Sequence, residues 1–234
     1  MTSKRFDIIY ADPPWQYKDK CRSGNRGAEY KYPCASLADL KALPVANMAN
    51  DNAVLFMWAT WPQLPEALEL IEAWGFNYKT CAFVWVKRNQ RYWENLTSKV
   101  RKLMRSISSP RDIQMDVVKN VIQDKEFLMG MGAAGTRANT EICILAKRRG
   151  YSRLSSAVRQ IVETDEPESW FLPHSGRHSE KPAEIRDRIV ELFGDVPRVE
   201  LFCRHQPEGW DNWGNEPEIT YSVEMDDYLP ENAA

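Results

Sequence analysis

Six residues near the start, Phe6-Asp7-Ile8-Ile9-Tyr10-Ala11, make a strand-sized apolar run that stops at Asp12-Pro13-Pro14-Trp15. A short run of this kind reads as a buried strand. The two prolines cannot continue it, because neither has an N–H for a ladder and both have φ held near about −65°. The chain must turn here. The turn gathers a carboxylate, two peptide carbonyls of fixed direction and an indole at the carboxyl end of a strand, the end where open α/β sheets bind ligands. Asp12 and the prolyl carbonyls are hydrogen-bond acceptors, and Trp15 offers a flat face. Such a corner suits a planar ring carrying an exocyclic NH₂. The same four residues also make an ordinary strand-ending turn, since Asp-Pro is common in turns.

Similar apolar segments recur along the chain. Ala53–Ala59, Thr80–Val86, Glu141–Ala146 and Val199–Cys203 read as strands. Between them lie helical patterns. Ser36–Leu43 opens with S-x-x-D, a helix-start signature. Pro62–Trp74 carries Leu64, Leu68 and Ile71 on one face and ends at Gly75. Pro182 suits the first position of a helix that runs to Phe193, with Gly194 beyond. Strands alternating with helices imply an α/β fold with a largely parallel sheet and right-handed crossovers.

With 234 residues the chain is expected to form a single domain, 1–234, long enough for a sizeable core. No stretch reads as a signal peptide or a membrane span, so a cytoplasmic protein is expected. The five cysteines are scattered and form no C-x-x-C, which fits reduced thiols. His174 and His178 are spaced H-x-x-x-H, but Pro173, Gly176 and the lack of further ligands argue against zinc, and no metal is expected.

Charge is unevenly distributed. Eight of the 33 acidic residues follow Arg204 and none of the 31 basic ones does, so an acidic C-terminal tail is expected over about 216–234. The remainder is moderately basic, which permits a polyanionic partner. From Lys87 to Arg111 there are eight basic residues and one acid, Glu94, with Tyr92 and Trp93 among them. A stretch this long between core strands reads as an insertion, at about 88–128. It is either a solvated, partly helical excursion or a nucleic-acid contact surface, with Lys99, Arg101, Lys102 and Arg105 on phosphates and the aromatics free to stack. A second basic cluster, Lys147-Arg148-Arg149 with Arg153 and Arg159, follows the Glu141 strand.

Other motifs are weaker. Gly130-Met131-Gly132-Ala133-Ala134-Gly135 matches G-x-G-x-x-G but precedes a strand instead of following one, so a nicotinamide enzyme is rejected. No nucleophile elbow or P-loop occurs. Arg177-His178-Ser179-Glu180-Lys181-Pro182 leads into a helix start, where N–H groups and Lys181 can receive an anion or simply cap the helix. Arg204-His205, then Trp210, Trp213, Gly214, Asn215 and Glu216, follow the last strand as either a polar surface loop or a ribose-binding one.

Taken in order, these segments resemble the MT-A70 family, which contains the catalytic subunit of the eukaryotic mRNA adenine methyltransferase and many bacterial and phage relatives. The resemblance rests on Ala11–Trp15, Tyr32 and Ser36, Leu55-Phe56-Met57-Trp58, Val84-Trp85-Val86-Lys87, Asn139-x-Glu141, Ser179-x-Lys181-Pro182, Glu200-Leu201-Phe202 with Arg204, and Gly214-Asn215. It implies a Rossmann-like methyltransferase fold with helices on both faces of the sheet and a permuted motif order, catalytic corner first and cofactor strand last. It also implies S-adenosylmethionine as cofactor and the exocyclic N6 amine of adenine as acceptor. By position, Asp12, Pro13, Pro14 and Trp15 form the catalytic corner. Asp12, Ser179, Lys181, Arg204, His205, Asn215 and Glu216 line the cofactor, although relatives often carry an amide where Glu216 stands. Trp15, Tyr32, Lys87, Asn139 and Glu141 meet the substrate, together with the basic residues of the insertion. DNA is the expected polymer, given the compact domain and its basic insertion. The same reaction on RNA is the first alternative, and a non-catalytic nucleic-acid-binding partner is the second. Monomer and homodimer both remain open.

Overall fold

The computed structural model describes residues 3–16, 34–87, 92–106, 140–150, 152–164 and 181–230. In chain order the elements are β1 (Phe6–Ala11), α1 (Leu37–Ala42), α2 (Val45–Met48), β2 (Ala49–Ala59), α3 (Leu64–Ala73), β3 (Asn77–Lys87), α4 (Tyr92–Ser106), β4 (Thr140–Lys147), β5 (Ile161–Thr164), α5 (Glu184–Phe193), β6 (Arg198–Leu201) and β7 (Asp211–Trp213). Short 3₁₀ turns lie at Trp61–Gln63 and Met225–Tyr228. The strands form one sheet in the order β5-β3-β4-β2-β1-β6-β7. Contacts divide the chain into a first unit, Met1–Val84 with Glu141–Gln160 and Ala183–Ala234, and a second, Trp85–Thr140 with Ile161–Pro182.

Within the first unit, β1 lies parallel to β2 and to β6, and β6 parallel to β7. The expected largely parallel sheet is present, with β4 reversed against β2. Residue alternation along the central strands decides the layers. Ile9, Ala11, Leu55 and Met57 share a cluster with Leu40 of α1, Val45 and Met48 of α2, and Leu70 and Ile71 of α3. Tyr10 and Phe56 are paired in register and face the other way. There Phe193 of α5 meets Phe56 edge-on, with ring centroids 5.7 Å apart, and Arg186 of α5 lies over Tyr10. Helices therefore cover both faces.

The helix ends follow the local chemistry. Ser36 and Asp39 complete a capping box at the start of α1. After α3, the Gly75 N–H donates to Glu72 and the Phe76 N–H to Ile71, a Schellman turn whose left-handed residue is Gly75 at φ 77°. Helix α5 starts at Glu184, not Pro182. Strand β7 lacks an apolar pattern because its buried residue is Asn212, whose amide accepts from the Ser222 N–H and donates to the Thr220 carbonyl. Past Glu216 the acidic segment packs: Val223, Met225 and Tyr228 join the core, and the Tyr228 hydroxyl donates to the Lys4 carbonyl at 2.6 Å. Among the described residues no helix is long and apolar enough to cross a membrane.

Candidate active site

The parallel strands end on one rim of the first unit's sheet. Asp12–Trp15 follow β1, Thr60–Gln63 follow β2, Phe202–His205 follow β6 and Gly214–Glu216 follow β7. Glu141 joins them, because the reversed β4 starts at this rim with Ile142 opposite Ala59. From β1 the chain continues to β2 on one side, whereas β6 lies on the other. That makes the β1/β6 crevice a topological switch point, where such sheets bind ligands. The Asp12 N–H donates across it to the Leu201 carbonyl at 3.4 Å.

The corner itself is tightly built. The Trp15 N–H donates to the Pro13 carbonyl at 2.8 Å, closing a three-residue turn over Pro14, whose fixed φ suits its centre. The Ala35 N–H donates to the Pro14 carbonyl at 3.0 Å, so the chain leaving the corner returns to it before α1. Each carbonyl has two lone pairs, so the Pro13 oxygen retains acceptor capacity beyond its bond to Trp15. Trp15 is only 6% exposed, and its indole N–H donates to the Trp58 carbonyl at 3.1 Å. The face expected to be open for stacking is thus packed into the core, where it pins the turn to β2. A half-exposed aromatic on this rim is Trp61 (49%), which lies just before the helix read from Pro62 and carries no motif of its own. Beside it, the Gln63 amide donates to the Gln16 carbonyl and secures the exit from the corner.

At the end of β6 the backbone is strained. Phe202 has φ 62°, a left-handed value that costs of order 1 kcal/mol or more outside glycine, and its ring is held edge-on by Trp213 at 5.2 Å. Strain of this kind persists only where the surroundings impose it. The next residue, Cys203, is buried. Burial, with the Glu200 carboxylate adding to it, pushes its thiol from 9.0 up to about 11. The folded chain therefore holds this proton to higher pH than the unfolded chain does. The stability it contributes is complete below pH 9 and is lost as pH rises to about 11. Cys203→Ala should consequently lose less stability than the parent between pH 9 and 11. Alkaline unfolding followed by circular dichroism measures this; parallel curves would refute it.

The other expected site residues are distributed as follows. Arg204 and His205 are half-buried, whereas Asn215 and Glu216 are exposed on the rim. Glu141 is buried at 7% exposure. In the second unit, Lys181 is buried at 8% exposure just before α5, and the Lys87 ammonium lies 4.6 Å from the Trp85 ring centroid. Lys99, Arg101, Lys102 and Arg105 all lie on α4, the helical part of the expected insertion. At 100° per residue Arg101, Lys102 and Arg105 fall opposite Leu96, Val100 and Leu103, and Lys99 borders the apolar side. Tyr32, Asn139 and Ser179 lie outside the described residues, as does the glycine-rich segment. The first part of the second basic cluster, Lys147 and Arg148, lies away from the rim. Lys147 pairs with Val54, five residues before Ala59 on β2, about 17 Å down the strand. Arg148 is occupied locally, donating to the Ala46 and Ala49 carbonyls.

A protein-family model, MT-A70, matches residues 6–109 and 113–216, every element from β1 to β7. The chain belongs to the MT-A70 family. The match breaks only at 110–112 and so passes through most of the stretch expected to be an insertion. Among MT-A70 relatives, Type II methyltransferase M.MunI of Mycoplasma sp is 31% identical over 96% of this chain and 85% of its own length. N(6)-adenine-specific methyltransferase METTL4 of Homo sapiens is 22% identical over 91% of this chain, which spans 38% of that protein. As an MT-A70 protein with a mixed, mostly parallel sheet, this chain has the Rossmann-like methyltransferase fold and is an S-adenosylmethionine-dependent adenine methyltransferase.

Proposed function

We propose that the protein methylates the exocyclic N6 amine of adenine in DNA, by direct in-line transfer to a base that is flipped out or already unpaired. The observation that carries this reading is the Asp12 corner, where a half-buried carboxylate and the Pro13 carbonyl stand together beside the β1/β6 crevice. The lone pair of the adenine amine is delocalised into the purine, which makes it a poor nucleophile. Accepting both of its N–H groups, at Asp12 and at the Pro13 carbonyl, favours a more pyramidal nitrogen with its lone pair available. Positioning and electrostatics then supply most of the acceleration. S-adenosylmethionine supplies the electrophilic methyl group.

The donor set suits that cofactor. Lys181 is a buried cation fit for its carboxylate, with Ser179 beside it in sequence. Arg204, His205, Asn215 and Glu216 supply donors and acceptors for a ribose and an adenine on the rim, and Asp12 borders both ligands. For the substrate, Glu141, Lys87, Tyr32 and Asn139 are assigned to the base and its neighbours, and Trp15 holds the corner that receives it. Half-exposed Trp61 supplies the surface for stacking. A base leaves a duplex at a cost of a few kcal/mol, and a single strand for less.

Likeness to a Type II methyltransferase over nearly the whole chain favours DNA as the polymer, and we place the enzyme in the cytoplasm. We read residues 1–234 as one methyltransferase domain in which 88–128 contributes nucleic-acid recognition. Labelled S-adenosylmethionine offered with duplex DNA, single-stranded DNA and RNA, beside Asp12→Ala, tests the reaction. Label is expected on DNA and not with the variant. Label on RNA alone moves the substrate, and label on none, or equal label with the variant, refutes the reading. Reversing Lys99, Arg101, Lys102 and Arg105 to Glu should weaken DNA binding and reduce the slope of log K against log salt by about 3 to 4. An unchanged slope would return α4 to a solvated helix.

A further inference from the structure

We propose that the buried ion pair between Arg186 of α5 and Glu200 of β6 is a positioning device for the Asp12 corner. The proposal rests on the corner's role in methyl transfer. Both side chains are nearly out of water, at 11% and 9% exposure. The guanidinium meets the carboxylate side-on, Nε to Oε2 at 2.6 Å and Nη2 to Oε1 at 2.9 Å.

Two paths lead from this pair to the corner. Glu200 stands opposite Tyr10 on β1, and the next residue, Leu201, gives its carbonyl to the Asp12 N–H. The second path runs through side chains. The Arg186 guanidinium lies 6.0 Å from the Tyr10 ring centroid, and the Tyr10 hydroxyl accepts from the Trp58 indole N–H at 2.7 Å. The carbonyl of Trp58 in turn holds the Trp15 indole. The polar chain Glu200–Arg186–Tyr10–Trp58–Trp15 thus passes under three neighbouring strands and ends in the corner. Burial and the adjacent Glu200 charge raise the Tyr10 hydroxyl well above its usual range, so it stays neutral and keeps its place in the chain.

Stability does not explain such a pair. Desolvating two charges offsets most of their attraction, and well-packed apolar residues of similar volume often serve as well or better. A bidentate fork supplies direction, because it has one favourable geometry where two aliphatic side chains have several. The geometry it sets here is that of α5 against the end of β6, where Phe202 is strained and Arg204 and the Asp12 partner Leu201 reside. In-line transfer is sensitive to that placement: a misplacement of about 1 Å can cost about 100-fold in rate.

The decisive experiment separates folding from placement. Arg186→Leu takes the guanidinium from the buried Glu200 carboxylate and should lower the melting temperature sharply, whereas the double variant with Glu200→Leu should recover to within a few degrees of the parent. The recovered double variant should still show a ten- to hundredfold lower kcat (roughly the scale expected for sub-ångström to ångström displacement). It should also bind S-adenosylmethionine about tenfold more weakly by calorimetry and have an altered near-UV circular dichroism band from Trp15 and Trp58. Parental turnover, affinity and spectrum in that variant would overturn the proposal. Should the double variant fail to fold, Arg186→Lys decides. It keeps the charge and loses the fork, so reduced turnover supports positioning and parental turnover overturns it. The affinity and spectrum need no nucleic acid, so they report on the pair even if the parent methylates no DNA.

Discussion

Asp12→Asn is expected to slow methyl transfer by about 100- to 1000-fold, the effect of removing one preorganised electrostatic contact at a reacting group. The substitution keeps the shape of the side chain and replaces one acceptor oxygen by an NH₂ donor. An amine that must donate both of its N–H groups then meets a donor at one of them. What ties Asp12 to β6 is its backbone N–H on the Leu201 carbonyl, and the turn beyond it is held by Trp15, Pro13 and Ala35. Single-turnover rates with labelled cofactor measure the loss, and scanning calorimetry checks that the melting temperature stays within a few degrees. A rate within threefold of the parent would remove Asp12 from the chemistry and leave the corner as a structural turn.

Gly214→Ala should be the most damaging single-methyl addition on the rim. A Cβ at this position would lie 2.7 Å from the Cys203 carbonyl oxygen, 3.0 Å from the Tyr221 hydroxyl and 3.2 Å from the Cys203 nitrogen. Two of these are backbone atoms of the neighbouring strand end, and the Cys203 N–H is itself bonded to the Trp213 carbonyl at 3.1 Å. No rotamer change can relieve them, so β6 and β7 must part. Overpacking of this kind costs about 1–3 kcal/mol, which in a chain of this size lowers the melting temperature by roughly 2–4 °C per kcal/mol. Because Arg204 and Asn215 flank the contact, cofactor affinity should fall at least about tenfold, on the scale of 1.4 kcal/mol for each tenfold in binding. Gly150→Ala is the control, since nothing stands within 4 Å of its added methyl group. Equal melting temperatures and affinities for the two variants would refute the assignment.

Much of this was legible because it is local. An apolar run ended by Asp12-Pro13-Pro14 is a terminated strand in almost any context, and Ser36 with Asp39, or Gly75 after Trp74, are signals read within one turn of helix. The alternation of such segments implied a mostly parallel α/β sheet, which is present. The short elements α2, β5 and β7 escaped because no periodicity can establish itself over three or four residues. Strand β7 is the clearest example, since its buried Asn212 is satisfied by backbone groups eight and ten residues away.

The corner residues, their order along the chain and the identities of the candidate cofactor and substrate groups were determined by the sequence, because proline geometry and side-chain chemistry travel with the residue. Which of them meet was decided only by the tertiary structure. Pairing places Glu141 on the rim with Asp12, and the reversal of β4 sends Lys147 to the far end of the sheet, although the two lie six residues apart on one strand. Packing turns the Trp15 ring inward and leaves Trp61 half-exposed. It also joins Arg186 to Glu200 across a helix and a strand. Register and burial depend on contacts between residues distant in the chain, and no local window contains them.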